Sequence, residues 1–240
     1  MIPEPDYIVR ERGAKPGCDK CGGLGYLVKD VPRESPDFGK AFPCNAPGCL
    51  GNKYAQERKS PKALKRKGVD RPALTFESFR KLKGTAQAFD AVKALADGSA
   101  DFVLLLLCGG TGNGKSHLAN AFAVLLNDRM IDCRLFDVAE MMAQLRQGIT
   151  DGQMESRLEE IRAYEALALD DFKPELATGW QSDVMERLIE YRYKNFLTTL
   201  LITNENVEAM PERIVSRFYE PKVGRVVVNT GVDYRRRASQ

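Results

Sequence analysis

Five short apolar runs, each separated from the next by stretches with helical spacing, set the frame of the chain from residue 73 onward. Phe102 to Leu107 is unbroken apolar and enters a glycine-rich turn, after which Leu118, Ala121, Phe122 and Leu125 recur at helical intervals. Cys133 to Val138, Ala166 to Phe172, Leu197 to Thr203 and Arg225 to Asn229 read as four further strands. Between and around them, helices are predicted over residues 84–97, 139–147, 154–164, 180–193 and 210–219; the fourth carries Val184, Leu188 and Tyr191 on one stripe. Strands alternating with helices predict an α/β fold, a five-stranded parallel sheet between helices, whose ligands bind at the carboxyl ends of the strands.

The turn after the first strand is Gly109-x-x-x-x-Gly114-Lys115-Ser116, the phosphate-loop pattern in its strand-loop-helix context. Gly109, Gly110, Thr111, Gly112, Asn113 and Gly114 can wrap backbone N–H groups around a phosphate at a positive helix N-terminus. Lys115 adds a charge for the β- and γ-phosphates, and the Ser116 hydroxyl is placed to ligate Mg²⁺. His117, the only histidine, follows directly, closes the nucleotide-binding run and has no part in any metal cluster.

The third strand ends in Asp170-Asp171. Downstream of a complete phosphate loop, the first acid is expected to hold Mg²⁺ and the second to orient or deprotonate the attacking water, although paired aspartates can also merely cap a loop. Adjacent residues in a strand point to opposite faces, so Asp171 is expected at or past the strand end, where both carboxylates can reach one site. Asn204, at the tip of the fourth strand, is placed to hydrogen-bond the γ-phosphate or the lytic water; its plainer role is a helix cap.

The first 57 residues read differently. Cys18-x2-Cys21 and Cys44-x4-Cys49 are two glycine-flanked pairs on a segment poor in large apolar residues. Such spacing suits a tetrahedral, structural four-cysteine zinc site, and metal binding would supply much of the folding free energy. Disulfides or clustered free thiols are the alternatives; Cys108 and Cys133, on strands of the other domain, read as core residues. Residues 58–72 read as a linker: Arg58 to Lys67 holds six basic residues among ten, expected to form a solvated tether with phosphate contact as its second role. Leu74 to Phe79 reads as an apolar clasp onto the ATPase domain, residues 73–240.

Composition refines this only a little. The 240 residues carry a net charge of +3, and residues 1–72 hold 15 basic against 9 acidic residues, leaving 21 against 24 for the remainder. The acidic partner, if there is one, is therefore expected on the N-terminal part. No apolar run is long enough to span a bilayer and the N-terminus lacks a basic-then-apolar signal, so a cytoplasmic location is expected.

The order Gly-Gly-Thr-Gly-Asn-Gly-Lys-Ser-His-Leu-Ala, Ala-Leu-Asp-Asp-Phe, Ile-Thr-Asn, Arg-Ile-Val-Ser-Arg-Phe and Asp-Tyr-Arg resembles the AAA+ family of DnaC/DnaI-type helicase loaders and their IstB-type relatives, over about residues 72–237. The N-terminal cysteine module resembles, in layout, the zinc-containing helicase-binding domain of DnaI-type loaders. The resemblance implies a slow, switch-like ATPase using ATP and Mg²⁺, with Lys115 and Ser116 as Walker A residues, Asp170 and Asp171 as Walker B and Asn204 as first sensor. It further implies Arg217 as an arginine finger reaching a neighbouring subunit's ATP, and Arg235 as a second sensor. Asp171 stands where general AAA+ proteins carry Glu. The 20 residues after Glu220 are too few for a helical lid domain. The helix predicted over residues 154–164 resembles the inserted helix used on single-stranded DNA, or is plain amphipathic packing. The function implied is loading of the replicative helicase hexamer onto single-stranded DNA; an IstB-type transposition ATPase is the alternative, and a small-molecule kinase leaves Asn204, Arg217 and the cysteines unexplained.

Overall fold

A computed structural model of the chain describes residues 7–8, 18–21, 26–32, 35, 38, 41–44, 46–47, 49, 64–65, 67–174 and 179–234. In the N-terminal part, β1 (Tyr7–Ile8), β2 (Tyr26–Lys29) and β3 (Ala41–Pro43) form an antiparallel sheet in that order. Its small core is Leu27 with Cys21, Cys44 and Cys49, against which Cys18 and Ala46 pack. Thiols occupy the place where a larger domain would bury branched aliphatics.

The second part runs α1 (Ala86–Asp97), β4 (Leu104–Cys108), α2 (Lys115–Asp128), β5 (Cys133–Asp137), α3 (Val138–Thr150), α4 (Met154–Ala163), β6 (Ala166–Phe172), α5 (Gly179–Lys194), β7 (Thr198–Thr203), α6 (Glu212–Tyr219) and β8 (Gly224–Val228). The five strands form one parallel sheet, ordered β5-β6-β7-β4-β8, as the alternating pattern predicts. β4 is buried along its whole length because both faces are covered: Leu105 and Leu107 enter the core under α1 and α2, whereas Leu104, Leu106 and Cys108 enter the core under α3 to α6. Helix ends differ from the periodic stretches by one to three residues at most points, as when α3 continues to Thr150, because fraying turns carry no apolar signal.

A charged side chain lies deep inside this core. Arg192 of α5 is fully buried and donates to Thr199 Oγ1 (2.8 Å), to the α4-end carbonyls of Arg162 (3.0 Å) and Tyr164 (2.8 Å), and to Thr198 O (2.7 Å). Burial lowers its pKa to about 10, so it stays charged against the negative end of α4. It thereby fastens the start of β7 to the end of α4.

Two expectations are corrected. The basic stretch is no solvated tether at its C-terminal end: Leu64 and Val69 are buried in the α1/α2 core, and Lys67 O accepts from Leu135 N at 2.9 Å. β5 is an edge strand whose free N–H needs a partner, and this segment supplies one. Lys67 also pairs with Asp132. The other correction concerns Asp171, which is not beyond the strand. β6 continues to Phe172, the register shifts between Leu169 and Phe172, and Asp171 has φ +59°. A bulge, not a strand end, turns its side chain to the same side as Asp170.

The docked segment gives a stability prediction. Gly68 has φ +81°, and a Cβ there would sit 1.7 Å from Leu135 O, whereas Gly98 has φ +73° with open space. Gly68→Ala is expected to cost about 2–3 kcal/mol in urea unfolding and Gly98→Ala about 1 kcal/mol, the excess being the broken Leu135 contact. Equal losses would mean that the segment does not brace the core.

Candidate functional site

The carboxyl ends of β4, β5, β6 and β7 open into one cleft of about 1140 Å³, whose lining includes Thr111 to His117, Asp170, Asp171, Lys173 and Asn204. The phosphate loop is clamped from two sides. Asn113 Nδ2 donates to Asn229 O at 2.9 Å while Asn229 Nδ2 donates to Asn113 O at 3.1 Å, and Tyr234 N donates to Gly112 O at 2.9 Å. This brings residues 229–234 so near the loop that a Cβ at Gly112, which has φ +72°, would stand 1.8 Å from the Asp233 carboxylate. Opposite, the Phe79 ring lies 2.8 Å from where a Gly114 Cβ would be, and packs edge-on against the His117 ring at 5.0 Å. His117 Nε2 is 2.8 Å from Thr75 O and 3.2 Å from Ser78 Oγ, so its ring is committed to the apolar clasp foreseen at Leu74 to Phe79.

Inside the loop, Lys115 is buried, and its ammonium donates to Gly109 O and Gly110 O at 2.6 Å each and to Asn113 Oδ1 at 3.2 Å. Burial lowers its pKa to about 8, opposed by the charges of Asp170 and Asp171. Burial raises the Asp170 carboxyl, opposed by a hydrogen bond from Ser116 and by one from Asp171 N at 3.0 Å. The Ser116 hydroxyl and the Asp170 carboxylate thus meet as a pair of hard oxygen donors, the set that Mg²⁺ takes with phosphate oxygens and water. Asp171 accepts from Asn204 Nδ2 on Oδ1 (2.7 Å) and pairs with Lys173 Nζ on Oδ2 (2.8 Å). Thr203 Oγ1 donates to Phe172 O at 2.8 Å, locking β7 to β6 beside the bulge.

Arg217 is held elsewhere. It pairs with Glu190 at 2.7 Å, lies over the Tyr193 ring at 4.9 Å, and does not line its own chain's cleft; neither does Arg213, which is 84% exposed. Arg235 lies outside the described residues. Sequence reasoning missed the tail residues Val232 and Tyr234, which line the cleft, and Lys173. Lys173 had a signal: in extended chain it falls two residues after Asp171, on the same face.

In the N-terminal part, Cys18, Cys21, Cys44 and Cys49 bring their Sγ atoms within 4.8 Å of one another, with Cys18 to Cys44 at 3.7 Å and Cys21 to Cys49 at 3.5 Å. Four sulfurs each about 2.3 Å from a tetrahedral zinc would stand about 3.8 Å apart, so the donor set fits that metal. Burial pushes the Cys44 thiol up to about 12. Cys108 and Cys133 are buried core residues, as read from the sequence, with thiols likewise raised by burial.

A family model described as IstB-like ATP binding protein matches residues 78–209. Among curated proteins, the chain is 30% identical over 182 residues to the phage-like element PBSX protein XkdC of Bacillus subtilis strain 168, covering 67% of this chain and 66% of that protein. It is 28% identical over 154 residues to the uncharacterised protein YqaM of the same organism, covering 60% and 44%. The match therefore spans less than two thirds of either relative. Among solved structures, the DnaC helicase loader is similar with a TM-score of 0.57 at 22% identity, over 66% of this chain and 97% of that one. The replication initiator DnaA bound to AMPPCP and single-stranded DNA is similar with a TM-score of 0.59 at 21% identity, over 66% and 50%. These likenesses concern the AAA+ fold.

The buried lysine sets a pH dependence. With its pKa near 8, Lys115 is charged below that pH and neutral above it, while a bound phosphate favours the charged form and raises the pKa. ATP affinity is expected to fall as pH rises through about 8, and binding above pH 8 to take up a proton, seen by calorimetry in buffers of different ionisation enthalpy.

Proposed function

The chain belongs to the IstB-like ATP-binding protein family and is an AAA+ ATPase, and from that premise we propose that it loads a replicative DNA helicase onto single-stranded DNA. The observation carrying this reading is the pairing of an ATP half-site with a four-thiol module: one chain supplies cradle, Mg²⁺ ligands and water-orienting acid, while its Arg217 lies away from its own cleft. Domain boundaries at 1–57, 58–72 and 73–240 follow, with the correction that residues 64–69 brace the ATPase domain.

In this reading the backbone of Gly109 to Ser116 and the Lys115 ammonium bind the β- and γ-phosphates of ATP. Ser116 and Asp170 hold Mg²⁺, which supplies charge neutralisation between those phosphates. Asp171 orients the attacking water and takes its proton, Asn204 reports on the γ-phosphate, and Arg217 of one subunit completes the site of the next. Cys18, Cys21, Cys44 and Cys49 hold zinc as a structural ion in the module that meets the helicase. Arg235 keeps the second-sensor role that the resemblance implies.

The DNA contact is drawn differently from the resemblance. On α4 the exposed positions include Glu155, Glu159 and Glu160, while Arg157 and Arg162 are paired with Asp151 and Glu159. An acidic face with its cations already paired makes a poor phosphate track, so Leu158 and Ile161 give this helix a packing role and the basic residues 58–67 become the better DNA contact. One observation favours the runner-up, an IstB-type transposition ATPase acting with a transposase: the matching family model is described as IstB-like.

A pull-down decides between the two. The full chain is expected to retain the replicative helicase of its own cell and to lose it once zinc is chelated or residues 1–57 are removed; capture of a transposase instead would establish the runner-up. Arg217→Ala is expected to leave ATP affinity of the isolated subunit unchanged and to lower hydrolysis in the assembled state by at least about a hundredfold, since a finger acts in trans. Unchanged turnover at self-associating concentrations would remove Arg217 from the site.

A further inference from the structure

Both oxygens of the Asp171 carboxylate are already engaged. Asn204 Nδ2 donates to Oδ1 at 2.7 Å, and Lys173 Nζ lies 2.8 Å from Oδ2. The φ of +59° at Asp171 aims its side chain into the cleft, and Lys173, two residues on, follows it to the same side. Lys173 has no counterpart among the cradle and metal groups. Its side chain is 44% exposed and that of Asp171 32%, so their ion pair is solvent-screened and exchangeable.

The geometry points to Lys173 as a positioning residue that restrains turnover: it holds Asp171 away from the water-activating position until nucleotide and neighbour are in place. This rests on the reading of Asp171 given above. In the hydrolytic step, water gives a proton to Asp171 and its oxygen bonds to the γ-phosphorus. The bond from that phosphorus to the β–γ bridging oxygen breaks, and its electron pair leaves with ADP. Asp171 performs its part only with a lone pair free to accept and a carboxylate free to turn toward the water, and an ammonium ion held on Oδ2 occupies that lone pair and fixes the carboxylate. Asn204 is a neutral donor and does so less. The restraint therefore sits mainly on Lys173, and its weakness makes it a brake on the rate rather than a block.

The test is single-turnover ATP hydrolysis by the full chain, with the rate constant and the half-saturating ATP concentration measured separately. Lys173→Ala is expected to raise the rate about two- to fivefold, the range an exposed ion pair supports, with half-saturation unchanged. Lys173→Arg, which keeps the charge, should behave as wild type. A rate that is unchanged or lower in Lys173→Ala overturns the brake, and a rise in half-saturating ATP at constant rate overturns it by placing Lys173 on the nucleotide. Asp171→Asn separates the two layers. Loss of hydrolysis by about a hundredfold upholds Asp171 as the water-orienting group whatever Lys173 does, whereas wild-type hydrolysis in that variant overturns the role of Asp171 and the brake with it.

Discussion

A β-strand turns consecutive side chains to opposite faces, yet Asp170 and Asp171 both line one cleft. The left-handed backbone at Asp171 reconciles the two: one bulged residue in β6 rotates its side chain to the side that Asp170 already occupies. A non-glycine residue in that conformation costs about 1–2 kcal/mol, and the contacts around it offset the strain. Asn204 and Lys173 engage its carboxylate, Asp170 accepts from its N–H, and Thr203 holds the carbonyl of Phe172 next to it. Without the bulge the metal acid would still reach Ser116, but the second acid would face the α3 to α6 side of the sheet, with Leu167 and Leu169. The placement of the second acid therefore depends on one dihedral angle.

The electrostatics of the cradle push in the same direction from both sides. Burial disfavours the charge on Lys115 and on Asp170 alike; Asp170 relieves Lys115 only in part, and hydrogen bonds from Ser116 and Asp171 N relieve Asp170 only in part. An anionic triphosphate with its divalent cation brings Lys115 a counter-charge and Asp170 a cation, so binding recovers what the fold spends on desolvating two ions. The loop backbone is meanwhile fixed by the Asn113–Asn229 amide pair and by the close passage of Asp233 and Phe79. Rigid clamping lets the N–H groups meet a phosphate without reorganisation.

What the sequence made legible follows from how local each signal is. Phe102 to Leu107 and the glycine pattern after it announce strand, loop and helix because burial on both faces and a phosphate cradle each constrain neighbouring residues. The four cysteines are legible for the same reason. Leu64 and Val69 were hidden because two apolar residues flanking a run of lysines carry no period; only the unpaired edge of β5, a feature of the assembled sheet, explains their burial. The Asp171 bulge was invisible because a positive φ at a non-glycine residue leaves no compositional mark. The amphipathic stripe of α4 was legible, whereas the pairing of its arginines depends on Asp151 and on helix geometry. The clasp on the phosphate loop was half seen: Phe79 lay in a readable apolar stretch, but Asp233 and Tyr234 reach the loop only because β8 ends beside β4.

Two classes of contact meet in this cleft, and their strengths differ. The cradle is held by buried amide pairs and by steric fits that exclude even a Cβ. The groups expected to act on water and on a neighbour's nucleotide are held by ion pairs with about a third or more of each side chain in solvent, Lys173 with Asp171 and Arg217 with Glu190. Such pairs are worth about 1 kcal/mol or less, a small barrier beside a charge-assisted contact to a γ-phosphate. A neighbour's phosphates can therefore draw Arg217 from Glu190 without disturbing the fold, whereas the cradle itself cannot follow. In the proposed reading nucleotide is bound by the rigid class and acted on through the exchangeable one, which would separate ATP binding from ATP hydrolysis and make hydrolysis conditional on assembly.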